Sequence, residues 1–153
     1  RIIDMHISPV NVSVHTMNPE LRVKMMKNKH SGEVLSYLRV LADAGIKLRG
    51  QIVLCKGVND KAELQRSMED LSEYYPQLDS VSIVPAGLTA YREGLYPLEP
   101  FSGEECAEVI RQVTEFFLFL NIMFRILKFL LPLNTVRLKV AMHRFIFQKW
   151  KWV

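Results

Sequence analysis

Acid and glycine are missing from the last quarter of this 153-residue chain. All 16 Asp/Glu and all seven Gly lie before residue 116, whereas seven of the 20 Lys/Arg follow it. The net charge of +4 therefore averages an acidic segment and a basic one. It is not the footprint of a nucleic-acid binder, and no nucleic-acid partner is expected. Cysteine is nearly absent. Cys55 and Cys106 stand far apart, which excludes a disulfide framework and offers no metal-ligand spacing. A reducing, cytoplasmic setting is the default for such a chain. No signal peptide is expected from the opening residues, and RIIDMHI there reads as the end of a helix, hence as a cut edge. Long apolar runs are scarce as well. The longest, FFLFLNIMFRILKFLLPL (116–133), is interrupted by Asn121, Arg125 and Lys128 and is marginal for crossing a bilayer.

The earlier segment has order. VNVSVH (10–15), LRGQIVLC (48–55) and DSVSIVPAG (79–87) read as strands. Asn18 followed by Pro19 starts a helix through LRVKMMKN. A second helix is expected from Ser31, with Val34, Leu38 and Leu41 on one side and Gly45 at its end. Asn59 or Asp60 caps a third, striped by Leu64, Met68, Leu71 and Tyr75. Ser102 and Glu105 form a capping box for a fourth that buries Cys106, Val109, Ile110 and Val113. The order β-α-α-β-α-β-loop-α, with strand starts about 30–40 residues apart, is that of βα units in a parallel sheet. The strands look apolar on both faces, as strands covered by helices on each side are. The expected class is α/β, as a barrel segment or an open sheet.

In such folds ligands sit at the carboxyl ends of the strands. Those ends here are SVHT, LCKGVND and VPAGLT. Each puts glycine or small polar groups where a backbone must approach a ligand. Ordinary turn chemistry explains any one of them; three together point to a site.

Three stretches, SPVNVSVHTMNPELRVKMM, LRGQIVLCKGVND and SVSIVPAGLTAYREGLYPLEPF, resemble the central part of the radical S-adenosylmethionine superfamily. More narrowly, they are similar to a subgroup of iron–sulfur oxidoreductases with an N-terminal PDZ-like domain and a C-terminal domain of unknown function. The resemblance spans about residues 1–117. It implies a partial TIM-like (β/α) barrel, with S-adenosylmethionine and a 4Fe–4S cluster as cofactors and a substrate that is a small molecule or of unknown class. It also implies a CxxxCxxC cluster loop, which this chain lacks. No cluster is expected on the chain, no catalytic residue is assigned, and the chain alone is expected to be inactive.

The resemblance gives the strand ends roles in the cofactor and substrate wall. Ser13, His15 and Thr16 match the place of polar side chains near the ribose. Alternation along a strand sets Ser13 and His15 on one face. Gln51 and Val53 share a face of the next strand, and Gly57 permits close approach of backbone. Val84, Pro85 and Ala86 match the strand that runs along the adenine. The bland readings are a satisfied strand-end histidine, a packed core strand and a strand ending at proline. Asp60 and Glu63 read as complements to a helix dipole. Lys24, Lys27 and Lys29 read as a solvated face, and Tyr91, Arg92 and Tyr96 as members of a long loop.

Residues 118–153 form a second segment, a basic, hydrophobic tail. Asn121, Arg125 and Lys128 would share one helical face, which suits contact with a membrane surface through 116–153. TVRLKVAMHR alternates as a strand does, and FIFQKWKWV ends on aromatics and lysines. Three readings stand: an out-of-frame product, a membrane-surface segment, or a divergent continuation of the fold. The competing reading of the whole chain is a non-catalytic α/β interaction module, with self-association expected through exposed strand edges.

Overall fold

The computed structural model describes residues 1–130. The alternating strand and the terminal aromatics of the tail, and its Lys/Arg beyond 130, lie outside the described residues. The element order is β1 (Val10–Ser13), α1 (Pro19–Met26), a 3-10 turn (Glu33–Leu35), α2 (Ser36–Asp43), β2 (Leu48–Leu54), α3 (Lys61–Ser72), β3 (Leu78–Pro85) and α4 (Gly103–Leu130). The three strands form one parallel sheet in the order β1-β2-β3. Sequential order without a reversal is what a barrel segment shows, and the class is α/β as the spacing predicts.

The helices start where side chains can take up orphan amides. Asn18 Oδ1 accepts from Leu21 N at 3.2 Å, with Pro19 in the first turn. The only buried residue of α1 is Arg22. That helix is thus anchored by a guanidinium rather than by an apolar stripe. The second helix begins as the 3-10 turn and buries Leu35, Leu38 and Ala42. Val34, expected inside, is 41% exposed, because the tighter turn moves the buried stripe one residue along. Gly45 (φ +77°) closes α2 in the left-handed region. In α3 the stripe is Leu64, Met68 and Leu71, joined by Ser67. Tyr74 rather than Tyr75 completes the buried set.

One expectation fails in the sheet. The strands are not apolar on both faces. Along β2, Leu48, Gly50, Ile52 and Leu54 are buried, whereas Arg49 and Gln51 are exposed and Val53 is half-buried. The alternation is that of a strand covered on one side only. The covered side forms a core with Val14, Val81 and Ile83 and the stripes of α2 and α3. The open side is polar and in register: Asn11, Arg49 and Ser80 make one row, and Ser13, Gln51 and Ser82 the next. A hollow of about 340 Å³ lies over these rows. At one end of it Arg49 Nε meets Asp79 Oδ2 at 3.2 Å.

Residues 1–100 belong to one compact unit; Phe101 begins a second, containing α4. In that second unit Ser102 and Glu105 form the expected capping box, with bonds of 3.2 and 2.7 Å. The buried face of α4 runs through Cys106, Val109, Val113 and Phe116; Ile110, expected among them, is 43% exposed. The compositional boundary at 117/118 falls inside α4. Among the described residues, no helix is long and apolar enough to cross a membrane.

Candidate functional site at the strand ends

Strand β1 is shorter than the sequence pattern suggests, and the reason defines the site. Pairing stops at Ser13, opposite Gln51. Val14 N and His15 N then both donate to Gln51 O, at 2.8 and 3.2 Å. His15 takes a left-handed conformation, φ +63°, which is uncommon for a residue other than glycine. The chain leaves the sheet there, although β2 continues to Leu54. The N–H and C=O of Val53 point toward β1 but find no strand, and buried or half-buried backbone groups must be paired.

Two side chains take the missing strand's place. Val53 N donates to His15 Nδ1 at 3.3 Å. Asn59 Nδ2 donates to Val53 O at 3.0 Å and to His15 O at 2.7 Å. Asn59 Oδ1 accepts from Cys55 N at 2.7 Å. Asn59 is 1% exposed, and every polar atom of its amide is bonded. It ties the exit of β1 to the exit of β2 and fixes the strained carbonyl of His15.

Arg22 supports the same corner from beneath. It is 5% exposed. Its Nη2, Nε and Nη1 donate to the carbonyls of Ser13, Val14 and Ser31 at 2.7, 3.0 and 3.0 Å. Burial pulls its pKa down from the ordinary arginine value. Burial, and after it the charge of Arg22, lowers the pKa of His15. With Nδ1 used as an acceptor, the neutral ring carries its proton on Nε2.

The remaining predicted residues separate into two groups. Ser13 and Gln51 are exposed, adjacent in register, and line the open hollow. His15 does not share their position, because its left-handed turn breaks the alternation after Ser13. Val53 and Val84 lie opposite one another, as do Leu54 and Pro85. Ala86 N is used by the sheet, donating to Leu54 O at 2.8 Å. Gly57 is exposed at φ +70°, and its N–H donates to Asp60 Oδ2 at 3.0 Å. A side chain there would meet no atom within 4 Å, so this glycine serves the turn. Thr16 does not reach the open face. It is fully buried, and its hydroxyl accepts from Asn18 N at 3.1 Å and lies 3.5 Å from Ser67 Oγ.

Two residues that organise the site were not singled out as such by the sequence. Asn59 reads there as a helix cap, one of two candidates. Asp60 takes the capping position, which frees Asn59 for the strand ends. Arg22 gives no signal at all, being one basic residue on a polar helix. Glu63, beyond complementing the helix start, accepts from Asn18 Nδ2 at 3.3 Å.

Fold and strand ends together define a parallel α/β domain with the carboxyl ends of β1, β2 and β3 along one edge of the sheet. Residues 1–81 match the family model of the Radical SAM-like domain, and the chain belongs to that family. No curated protein is matched by the chain. The family uses S-adenosylmethionine with a 4Fe–4S cluster. The residues here do not fit the cluster. It needs several converging thiolates, whereas the sequence has two cysteines. Burial raises the pKa of both thiols, against the pull of Arg92 at Cys55. The strand-end region carries polar groups in two places: the His15 imidazole at the β1 exit, and the Ser13 hydroxyl and Gln51 amide on the open face.

Proposed function

We propose that this chain forms part of the S-adenosylmethionine and substrate wall of a radical S-adenosylmethionine enzyme, in the oxidoreductase subgroup its sequence resembles. His15 and the exposed Ser13 and Gln51 present donors and acceptors to the ribose and methionyl groups. Val53, Gly57, Val84, Pro85 and Ala86 form the adjoining backbone surface, and Thr16 holds the corner from inside. The carrying observation is the β1 exit. There a half-buried histidine is held in a strained conformation by three hydrogen bonds, from its N–H, to its carbonyl and to its Nδ1, with its second nitrogen left for a ligand. Strain of this kind persists where the surroundings over-determine it, and it clusters at binding sites. The cluster would be supplied by residues outside these 153.

Titration with S-adenosylmethionine, followed by amide chemical shifts, tests the reading. Shifts concentrated at Gln51, Val53, Gly57 and Ala86 are expected. No response at millimolar ligand, or a response confined to other surfaces, overturns it. The second reading, a non-catalytic module, has its support in the exposed Leu118, Phe119 and Ile122 of α4.

A further inference from the structure

The hydrogen bonds around His15 determine its chemistry more narrowly than its residue type does. A neutral imidazole has one N–H and one lone pair. Here the lone pair on Nδ1 is already used, facing Val53 N–H. The ring cannot turn over without setting a carbon against that amide. Asn59 Nδ2 holds the His15 carbonyl at 2.7 Å, which fixes the backbone from which the ring reaches Val53 N–H. Asn59 cannot itself flip, because its amide would then set oxygen against the carbonyls of His15 and Val53, and nitrogen against Cys55 N–H.

We propose that His15 is an obligate hydrogen-bond donor through Nε2, and that Asn59 is the positioning residue that locks it in this role. The consequence is a restriction on the ligand. The atom that meets His15 is an acceptor, such as a hydroxyl, ether or carboxylate oxygen. A metal ion at Nε2 would require the proton to move to Nδ1, against Val53 N–H. General-base work would require a free lone pair, and none is left. His15 is thereby excluded as a metal ligand, a nucleophile and a base, roles for which a strand-end histidine is an ordinary candidate. The inference rests on placing the ligand at these strand ends, but its test does not.

The test uses the ligand-free chain. Long-range proton–nitrogen spectra of the imidazole at neutral pH report which nitrogen bears the proton. A single tautomer with the proton on Nε2 is expected, together with a scalar coupling across the Val53 N–H···Nδ1 bond. Two averaged nitrogens, or a proton on Nδ1, overturn the donor assignment. For Asn59, couplings from its side-chain N–H to the His15 and Val53 carbonyl carbons are expected in the unaltered protein, and their absence removes its role. The substitution Asn59→Asp keeps the acceptor for Cys55 N and deletes both donations. In the folded variant a measurable share of the proton-on-Nδ1 tautomer is expected, and an unchanged tautomer overturns the positioning role. A failed S-adenosylmethionine titration with a single Nε2 tautomer would sink the function but not this inference. The reverse pair of results would do the opposite.

Discussion

His15 makes stability depend on pH in a direction fixed by its surroundings. Its pKa in the folded chain lies below the ordinary value of about 6.5, because burial and Arg22 both disfavour the cation. The neutral ring is therefore the one the fold prefers. Its contribution is fully present above about pH 6.5 and is lost as pH falls through the folded-state value. Denaturant midpoints measured between pH 7.5 and 5 should decline, and His15→Gln should flatten that part of the profile. A profile of the same slope in the variant would assign the decline elsewhere. Arg22 is the larger structural stake. Removing it by Arg22→Met leaves the Ser13 and Ser31 carbonyls without the donors Arg22 supplies, and Val14 O with the Thr16 N–H alone. At about 1–3 kcal/mol for an unsatisfied buried group, with incomplete additivity, a loss of about 2–4 kcal/mol is expected in urea unfolding. Arg22 is not conspicuous in the sequence. A histidine in SVHT announces a polar strand end, but its tautomer follows from Val53 and Asn59, which lie about 40 residues away.

At the scale of the element, the close approach of two segments makes a sharper test. Gly32, just before the 3-10 turn, lies where an added Cβ would meet Pro19 O at 2.9 Å and Pro19 Cβ at 3.1 Å. The first of these atoms is backbone at the start of α1 and cannot swing away. Gly32→Ala is expected to cost about 1–3 kcal/mol, read from the thermal midpoint, whereas Gly87→Ala, with open space around it, should leave that midpoint nearly unchanged. Equal effects of the two would deny the contact. The elements were largely legible because their signals are local: Asn18-Pro19, Gly45, the Ser102–Glu105 box and the stripe of α3. The strand faces were misread for an identifiable reason. LRGQIVL alternates over Leu48–Gln51 and becomes continuously apolar only at its end, so the run Ile52–Cys55 suggests two-sided burial that Arg49 and Gln51 already contradict. The stripe of α2 was misplaced because a 3-10 turn, which shifts the phase, has no distinctive composition.

For the whole molecule, the balance of covered and uncovered surface matters most. Among the described residues, β1 and β3 each have one strand neighbour, so two edges of the sheet remain unpaired. Unpaired edges template association. Sedimentation velocity should show reversible growth in mean mass with rising concentration; a single monomeric species throughout would exclude edge pairing. The open face itself is a weaker driver, since its rows are Asn, Ser, Gln and an Arg49–Asp79 pair rather than apolar groups. The sequence could show that three strands share one direction and expose polar groups at their ends. It could not show that β1 stops two residues early and hands its hydrogen bonds to side chains, because that exchange involves Val53 and Asn59, which are remote from His15 in the chain.

With a ligand at His15 as proposed, that exchange would couple occupancy of the site to cohesion of the sheet. When an acceptor takes the hydrogen bond of Nε2–H, electron density shifts across the ring toward Nδ1, which becomes the stronger partner for Val53 N–H. The amide of Val53 thus acts as an internal gauge: a bound oxygen would slow its exchange with deuterium, although the ligand never touches it. The ring proposed to meet the ligand also closes the ladder. Binding would therefore be registered in the backbone of the central strand as added resistance to opening.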